Sequence, residues 1–219
     1  MPDFSLNYIK REAANTQKDQ PPLLLLLHGY GSDEHDLFSF AEELPDHYFI
    51  VSARAPKPMQ PFGNAWYDIY MDAAGVKSSD NEGAIQARDL IARFIDELVA
   101  HYDLDPFQTT LLGFSQGTIL SYAVALTYPE KVKNVIALSG YINEEIIDLK
   151  SNPSYQHLNI YCSHGSADQV IPVAAARQAP EFLKALGITT ELKEYPVGHG
   201  VAPQNFYDFA QWLESQNAN

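Results

Sequence analysis

Three side chains in this sequence could together make a nucleophile. Ser115 lies in Gly113-Phe114-Ser115-Gln116-Gly117, between the strand-like run Thr109–Leu112 and the helix-like run Thr118–Leu126. Strand, G-x-S-x-G and helix together describe a sharp turn that raises a serine hydroxyl above a sheet edge and sets it at a helix N-terminus, where free N–H groups favour negative charge. A side chain at Gly113 or Gly117 would collide with the neighbouring strand or helix. A serine hydroxyl needs an adjacent base, and the base needs a carboxylate that fixes its tautomer and stabilises the imidazolium. Three histidines follow Ser115: His157, His164 and His199. His199 stands in a glycine-rich loop after the last strand-like run and before a terminal helix. Asp168 stands in the loop after the preceding strand. The order Ser115, Asp168, His199 is that of a nucleophile elbow's partners, each at the carboxyl end of a strand. Asp148 is the rival acid, but it falls in a polar excursion, not at a strand end. His164 reads as structural, holding the Asp168 loop.

The rest of the chain must carry these loops. Leu23–Leu27 is a continuous apolar run bounded by prolines and glycine, as expected of a strand buried on both faces. Further strands are expected over Tyr48–Ala53, Thr109–Leu112, Val132–Leu138, Leu158–Ser163 and Thr189–Tyr195, with an edge strand over Phe4–Ile9. Lys10–Gln20 reads as a turn or hairpin linker. Helices are expected over Ser32–Leu44, Glu82–Tyr102, the run after Ser115, from Ile171 to a stop at Gly187, and over Phe206–Leu213. Glu82–Tyr102 is the clearest of them, with Ile85, Leu90, Ile91, Phe94, Ile95, Leu98 and Val99 on one side and Arg88, Arg93, Asp96 and Glu97 on the other. Alternating strands and helices imply α/β architecture, a mostly parallel central sheet covered on both faces. No composition shift marks a second domain, so residues 1–219 read as one domain. The excursion Tyr141–His157 is too small for a separate lid.

Directly after Leu27 comes His28-Gly29-Tyr30-Gly31. In the α/β-hydrolase fold this loop supplies one oxyanion-hole donor and the residue after the nucleophile supplies the other. Those would be the backbone N–H groups of Tyr30 and Gln116. His28 lies at the wrong place in chain order to be the base and reads as a support for the loop. Pro56–Met71 is rich in proline and aromatics, either plugging the core or walling a pocket. Met59, Phe62, Trp66 and Tyr67, together with Val170, are the candidate substrate-binding residues.

The bulk composition narrows the field. The chain has 219 residues, 46% of them apolar, which suits a large core. Its net charge of −14 argues against nucleic acid and against an anionic membrane surface. One cysteine, Cys162, excludes an intramolecular disulfide and reads as a buried small hydrophobe. No His/Cys spacing suggests a metal site, and the chemistry above needs no cofactor. The N-terminus lacks a signal-peptide pattern and the apolar runs are too short to span a bilayer, so a cytoplasmic enzyme without stable membrane insertion is expected. The aromatic loop from Pro58 to Tyr70 could equally form a homodimer contact.

Taken together, Leu27–Glu34, Ala65-Trp66-Tyr67-Asp68-Ile69, Gly113–Gly117, His164-Gly165-Ser166-Ala167-Asp168 and Val197-Gly198-His199 resemble the carboxylesterase/lysophospholipase family, which includes the acyl-protein thioesterases and small bacterial carboxylesterases. The resemblance runs from about Leu23 to Leu213. It implies a serine hydrolase acting on small-molecule or lipid esters or thioesters whose acyl chain lies in a hydrophobic groove, with the Trp66 block near the acyl site. It implies the triad Ser115, Asp168 and His199 and the oxyanion donors Tyr30 and Gln116. Tyr30 stands where acyl-protein thioesterases commonly carry leucine, and Gly200-Val201-Ala202 also departs from them, which places the chain nearer the bacterial branch. An amidase or peptidase with the same triad, and a binding module that has lost its chemistry, are the competing readings.

Overall fold

In the computed structural model, residues 4–14, 20–71, 77–149 and 154–216 are described. The strands are β1 (Tyr8–Arg11), β2 (Leu23–Leu27), β3 (Phe49–Ala53), β4 (Lys57–Pro58), β5 (Asn64–Ala65), β6 (Ile69–Met71), β7 (Lys77–Ser79), β8 (Thr109–Phe114), β9 (Asn134–Leu138), β10 (Asn159–Gly165) and β11 (Leu192–Tyr195). The helices are α1 (Asn81–Tyr102), α2 (Gln116–Thr127), α3 (Val173–Ala176), α4 (Ala179–Ala185) and α5 (Pro203–Ser215). Seven strands form one sheet in the order β1-β3-β2-β8-β9-β10-β11. Only β1 runs antiparallel within it, against β3; the other pairings are parallel.

The five leucines of β2 show how the sequence builds this sandwich. All are fully buried, and alternation sends them to opposite faces. Leu23, Leu25 and Leu27 join the core with residues of α1 and α2. Leu24 and Leu26 join the other core with Leu37, Ala41, Leu44 and the inward residues of α5, Phe206, Phe209 and Leu213. Each buried leucine contributes roughly 2–3 kcal/mol relative to an exposed one, so a polar residue on either face would be costly. Every residue of α2 is buried, which explains a helix apolar on all sides. α1 is instead amphipathic, and the Asp80 carboxylate caps it by accepting from the Gly83 N–H at 3.0 Å. Arg88, expected on its polar side, is buried, because its Nη1 finds the Ile146 carbonyl at 2.7 Å.

This is the mostly parallel sheet, covered on both faces, expected from the alternation of elements, with differences in detail. Ser32–Leu44 is not a continuous helix: it forms a single 3-10 turn, Leu37–Phe40. Its polar side chains satisfy local groups otherwise. Ser32 Oγ donates to Asp36, the His35 N–H donates to Asp33, and Ser39 Oγ donates to the Asp36 carbonyl. Such bonds compete with helix formation, while the apolar positions Leu37, Ala41 and Leu44 still reach the core. The helix expected from Ile171 to Gly187 is two pieces, because Pro180 in the first turn of α4 is incompatible with helix continuing from above. The edge strand begins at Tyr8 and extends into the segment read as a linker, of which residues 15–19 lie outside the described residues. The last strand is shorter than expected, Leu192–Tyr195.

The long aromatic loop is not structureless. It carries the antiparallel pair β4 and β5, and then β6, which pairs antiparallel with β7 beyond it. Within the excursion after β9, the described residues carry one 3-10 turn, Glu144–Ile146, and no lid. Among the described residues no helix is long and apolar enough to cross a membrane. Cys162 is free and buried.

Candidate active site

The turn between β8 and α2 holds Ser115 at φ 53°, ψ −114°, a strained conformation for a residue with a side chain. Its surroundings impose it. The Ser115 N–H donates to the Leu138 carbonyl of β9 at 2.9 Å, and the Ser115 carbonyl accepts from the Thr118 and Ile119 N–H groups. A Cβ on Gly117 would lie 1.9 Å from the Leu27 carbonyl oxygen, and one on Gly113 would lie 2.4 Å from that of Gly117. These two glycines let strand and helix approach closely enough to form the elbow.

His199, in the loop between β11 and α5, reaches Ser115. Its Nε2 lies 2.9 Å from Ser115 Oγ, and its Nδ1 lies 2.6 Å from Asp168 Oδ2. One tautomer satisfies both partners. The proton sits on Nδ1 and is donated to Asp168, leaving Nε2 to accept from the serine hydroxyl. The Phe114 ring packs against the imidazole with centroids 4.9 Å apart.

Asp168, in the loop after β10, is held from all sides. Its Oδ1 accepts from the Val170 N–H at 2.8 Å and the Ile171 N–H at 3.0 Å. The His164 Nε2 lies 3.2 Å from Oδ2 and 2.8 Å from the Ile171 carbonyl, so it ties the acid to its own loop. Burial pushes the Asp168 carboxyl upward, but hydrogen bonds from His199 and from the Ile171 and Val170 N–H groups outweigh it and hold the group below the usual carboxylate range. The acid therefore stays ionised beside the imidazole. Asp148, the rival acid, lies apart from this hydrogen-bonded chain: its backbone N–H donates to Thr127 Oγ1, and the residue does not line the cleft beside Ser115.

Tyr30 and Gln116 both border that cleft. Among the described residues neither backbone N–H has an intramolecular acceptor, and that of Gln116 is a first-turn donor of α2. His28 is fully buried behind the Tyr30 loop. Its Nδ1–H donates to the Gly29 carbonyl at 2.8 Å and its Nε2 accepts from the Ala55 N–H at 3.0 Å. Both ring nitrogens are used in the neutral form, and burial lowers its pKa.

The cleft has a volume of about 500 Å³. Tyr67 and Val170 line it, as do Ile69 and Met71 of β6, Ser78 and Ser79 of β7, Ile119 of α2 and Tyr141. Met59, Phe62 and Trp66, expected at the substrate, do not. Phe62 is 79% exposed at the tip of the β4–β5 hairpin, and Met59 lies on the same hairpin. Trp66 is 1% exposed and faces inward, its indole N–H donating to the His28 carbonyl at 2.9 Å. The β6–β7 wall was missed because Ile69, Met71, Ser78 and Ser79 carry no periodic signal across so short a hairpin.

Asp33, Glu34 and His35 bring three possible metal-ligand atoms within 4.8 Å of one another. Glu34 is engaged by Arg54, whose Nε donates to Oε2 at 2.6 Å, and none of the three lines the cleft.

A sharp elbow on a parallel sheet, with Ser, His and Asp in one hydrogen-bonded chain, defines a protein of the α/β-hydrolase class. The chain belongs to the Phospholipase/Carboxylesterase family, whose sequence profile matches residues 10–217. A probable carboxylesterase of Oryza sativa subsp. japonica is 29% identical over 154 residues, 69% of this chain and 58% of that protein, so the match spans less than two thirds of that relative. Acyl-protein thioesterase 1 of Kluyveromyces lactis is 28% identical over 214 residues, 90% of this chain and 93% of that protein. The crystal structure of esterase PE8 superposes with a TM-score of 0.80 at 29% identity, covering 98% of this chain and 99% of that one. The names of these relatives describe ester and thioester hydrolases.

Proposed function

We propose that the protein is a serine carboxylesterase that cleaves esters or thioesters of short- to medium-chain acyl groups through an acyl-serine intermediate. The observation that carries this reading is the chain Asp168–His199–Ser115, hydrogen-bonded at 2.6 and 2.9 Å, at the edge of a largely apolar cleft. His199 Nε2 takes the hydroxyl proton as Ser115 Oγ attacks the acyl carbonyl carbon. The carbonyl oxygen becomes an oxyanion held by the Tyr30 and Gln116 N–H groups. The tetrahedral intermediate collapses, the bond to the leaving group breaks, and His199 returns the proton to the departing alkoxide or thiolate. A water then gives its proton to His199 and its oxygen to the acyl carbon. Collapse releases the acid and restores Ser115. Asp168 stays ionised and stabilises the imidazolium in both steps.

The cleft volume bears on the acyl group. Each methylene it buries contributes about 0.8 kcal/mol, roughly fourfold in kcat/KM, until the cleft is full. With p-nitrophenyl esters from acetate to palmitate, kcat/KM is expected to climb through the medium chains and fall by palmitate. Absence of turnover across the whole series would remove the esterase reading, and a continued rise to palmitate would remove the limit on chain length. Similarity to an acyl-protein thioesterase favours a thioester as the second reading. Paired oxygen esters and thioesters of one acyl group decide between them through kcat/KM.

A further inference from the structure

The serine-hydrolase reading assigns Gln116 only a backbone role. Its side chain is 2% exposed and has a separate task. Gln116 Oε1 accepts from the Trp66 backbone N–H at 2.9 Å, and Gln116 Nε2 donates to the Tyr67 carbonyl at 2.9 Å. The amide pairs with the backbone of the segment 64–67 much as a neighbouring strand would. Both partners are backbone groups of fixed character, so the orientation of the amide is determined.

The same segment grips the Tyr30 loop from its other side. The Gly31 N–H donates to the Asn64 carbonyl at 2.9 Å, and the Asn64 N–H donates to the Ser32 carbonyl at 2.7 Å. The Trp66 indole N–H donates to the His28 carbonyl at 2.9 Å. Five hydrogen bonds thus join residues 64–67 to two separate places: the loop that carries Tyr30 and the residue that carries the other oxyanion donor. The two donors follow different strands, Tyr30 in the loop after β2 and Gln116 at the first position of α2 after β8, and both lie beyond the sheet's own register.

We propose that the Gln116 side chain and the Trp66 indole are positioning residues that set the spacing of the two oxyanion donors. Residues 64–67 are the bridge between them. This places Trp66 in the reaction without contact to substrate, and it gives a physical reason for a glutamine directly after the nucleophile in a chain that also carries Trp66-Tyr67. The inference rests on the proposed serine esterase mechanism.

A clamp on the oxyanion hole acts on the transition state more than on bound substrate. Loss of one whole donor costs about a hundred- to a thousandfold in kcat. Displacing a donor without deleting it should cost less, about ten- to a hundredfold. The variants are Gln116→Met, which keeps the side-chain length and loses both hydrogen bonds, and Trp66→Phe, which removes the indole N–H. Thr190→Val is the control for a lost internal hydrogen bond, since Thr190 Oγ1 donates to the Ile160 carbonyl near the far end of β10.

The probe is hexyl trifluoromethyl ketone. Its carbonyl carbon bonds to Ser115 Oγ, the hydroxyl proton passes to His199, and the carbonyl oxygen becomes an anion in the hole. Fluorophosphonate titration counts the active sites, so that kcat refers to folded enzyme. For Gln116→Met and Trp66→Phe, kcat is expected to fall about tenfold or more while KM stays within about threefold, with ketone affinity falling in step with kcat/KM. The double variant should lose less than the product of the two, because both act on one bridge. Thr190→Val should keep kcat and ketone affinity whatever it does to the melting temperature. Unchanged kcat and ketone affinity in both single variants would overturn the clamp, as would a kcat loss no larger than that of Thr190→Val. A wild type that neither reacts with the fluorophosphonate nor binds the ketone would instead overturn the serine esterase reading itself.

Discussion

Ser115→Ala is expected to lower kcat on the best p-nitrophenyl ester by about a millionfold, the scale of nucleophile knockouts in serine hydrolases. The size follows from the geometry. Ser115 Oγ is the atom that His199 Nε2 faces, at 2.9 Å. The hydroxyls at Ser78 and Ser79 also border the cleft, but the hydrogen-bonded chain from Asp168 through His199 ends on Ser115. Alanine leaves the elbow's hydrogen bonds in place, because the Ser115 N–H and carbonyl make them, so the variant should fold and keep its KM range for what turnover remains. Some rate above water should survive, since the oxyanion donors and the cleft are untouched. A loss of less than about a thousandfold would mean that another group attacks the ester.

Asp168→Asn should be the second largest effect, about ten-thousandfold in kcat. The surroundings of the carboxylate dictate which way the new amide faces. Oδ1 accepts from the N–H groups of Val170 and Ile171, so the amide oxygen must occupy that place. The amide NH2 then points at His199 Nδ1, where the Oδ2 acceptor stood at 2.6 Å. Two donors cannot face each other there. His199 moves its proton to Nε2, and in that tautomer it cannot accept the proton of Ser115. The fold should survive, because the loop keeps its backbone hydrogen bonds. Asp148→Asn should leave kcat unchanged. Steady-state kinetics on both variants checks the assignment, and an Asp168→Asn enzyme within about a hundredfold of wild type would contradict it.

How far these residues could be found from the sequence depends on what kind of constraint marks them. Ser115 was legible because strand, glycines and helix surround it in a pattern only a sharp turn satisfies. Asp168 and His199 follow in order at the ends of strands, and the parallel sheet gathers those ends along one edge. Their hydrogen-bonded contact is therefore a consequence of topology, which the alternation of apolar runs already implies. The cleft wall has no such constraint. Trp66 and Phe62 are both aromatic residues in one loop, and composition cannot say that one turns inward onto His28 while the other is 79% exposed. Ile69, Met71, Ser78 and Ser79 form a wall only because β6 pairs with β7, and strands of three residues carry too little periodicity to be seen. The Ser32–Leu44 segment failed for a third reason. Its apolar spacing suits a helix, but Ser32, Asp33, Asp36 and Ser39 offer local hydrogen bonds that win over most of it.

The role of Gln116 lay between these cases. The sequence places it after the nucleophile, where its backbone N–H has an evident use. Nothing in the sequence says that its side chain reaches Trp66 and Tyr67, about fifty positions away in the chain. That contact exists because α2 begins directly beneath the loop carrying β5, so a long amide at its first position meets free backbone groups.

The most direct test of the central claim is the intact mass of the protein, quenched in acid within the first turnovers of a p-nitrophenyl butyrate reaction, followed by peptide mapping. The mechanism predicts a butyryl adduct on the peptide carrying Ser115, absent in Ser115→Ala and accumulating in step with a burst of p-nitrophenol. An adduct mapped to another residue, or turnover and adduct retained by Ser115→Ala, would contradict an acyl-serine pathway through Ser115.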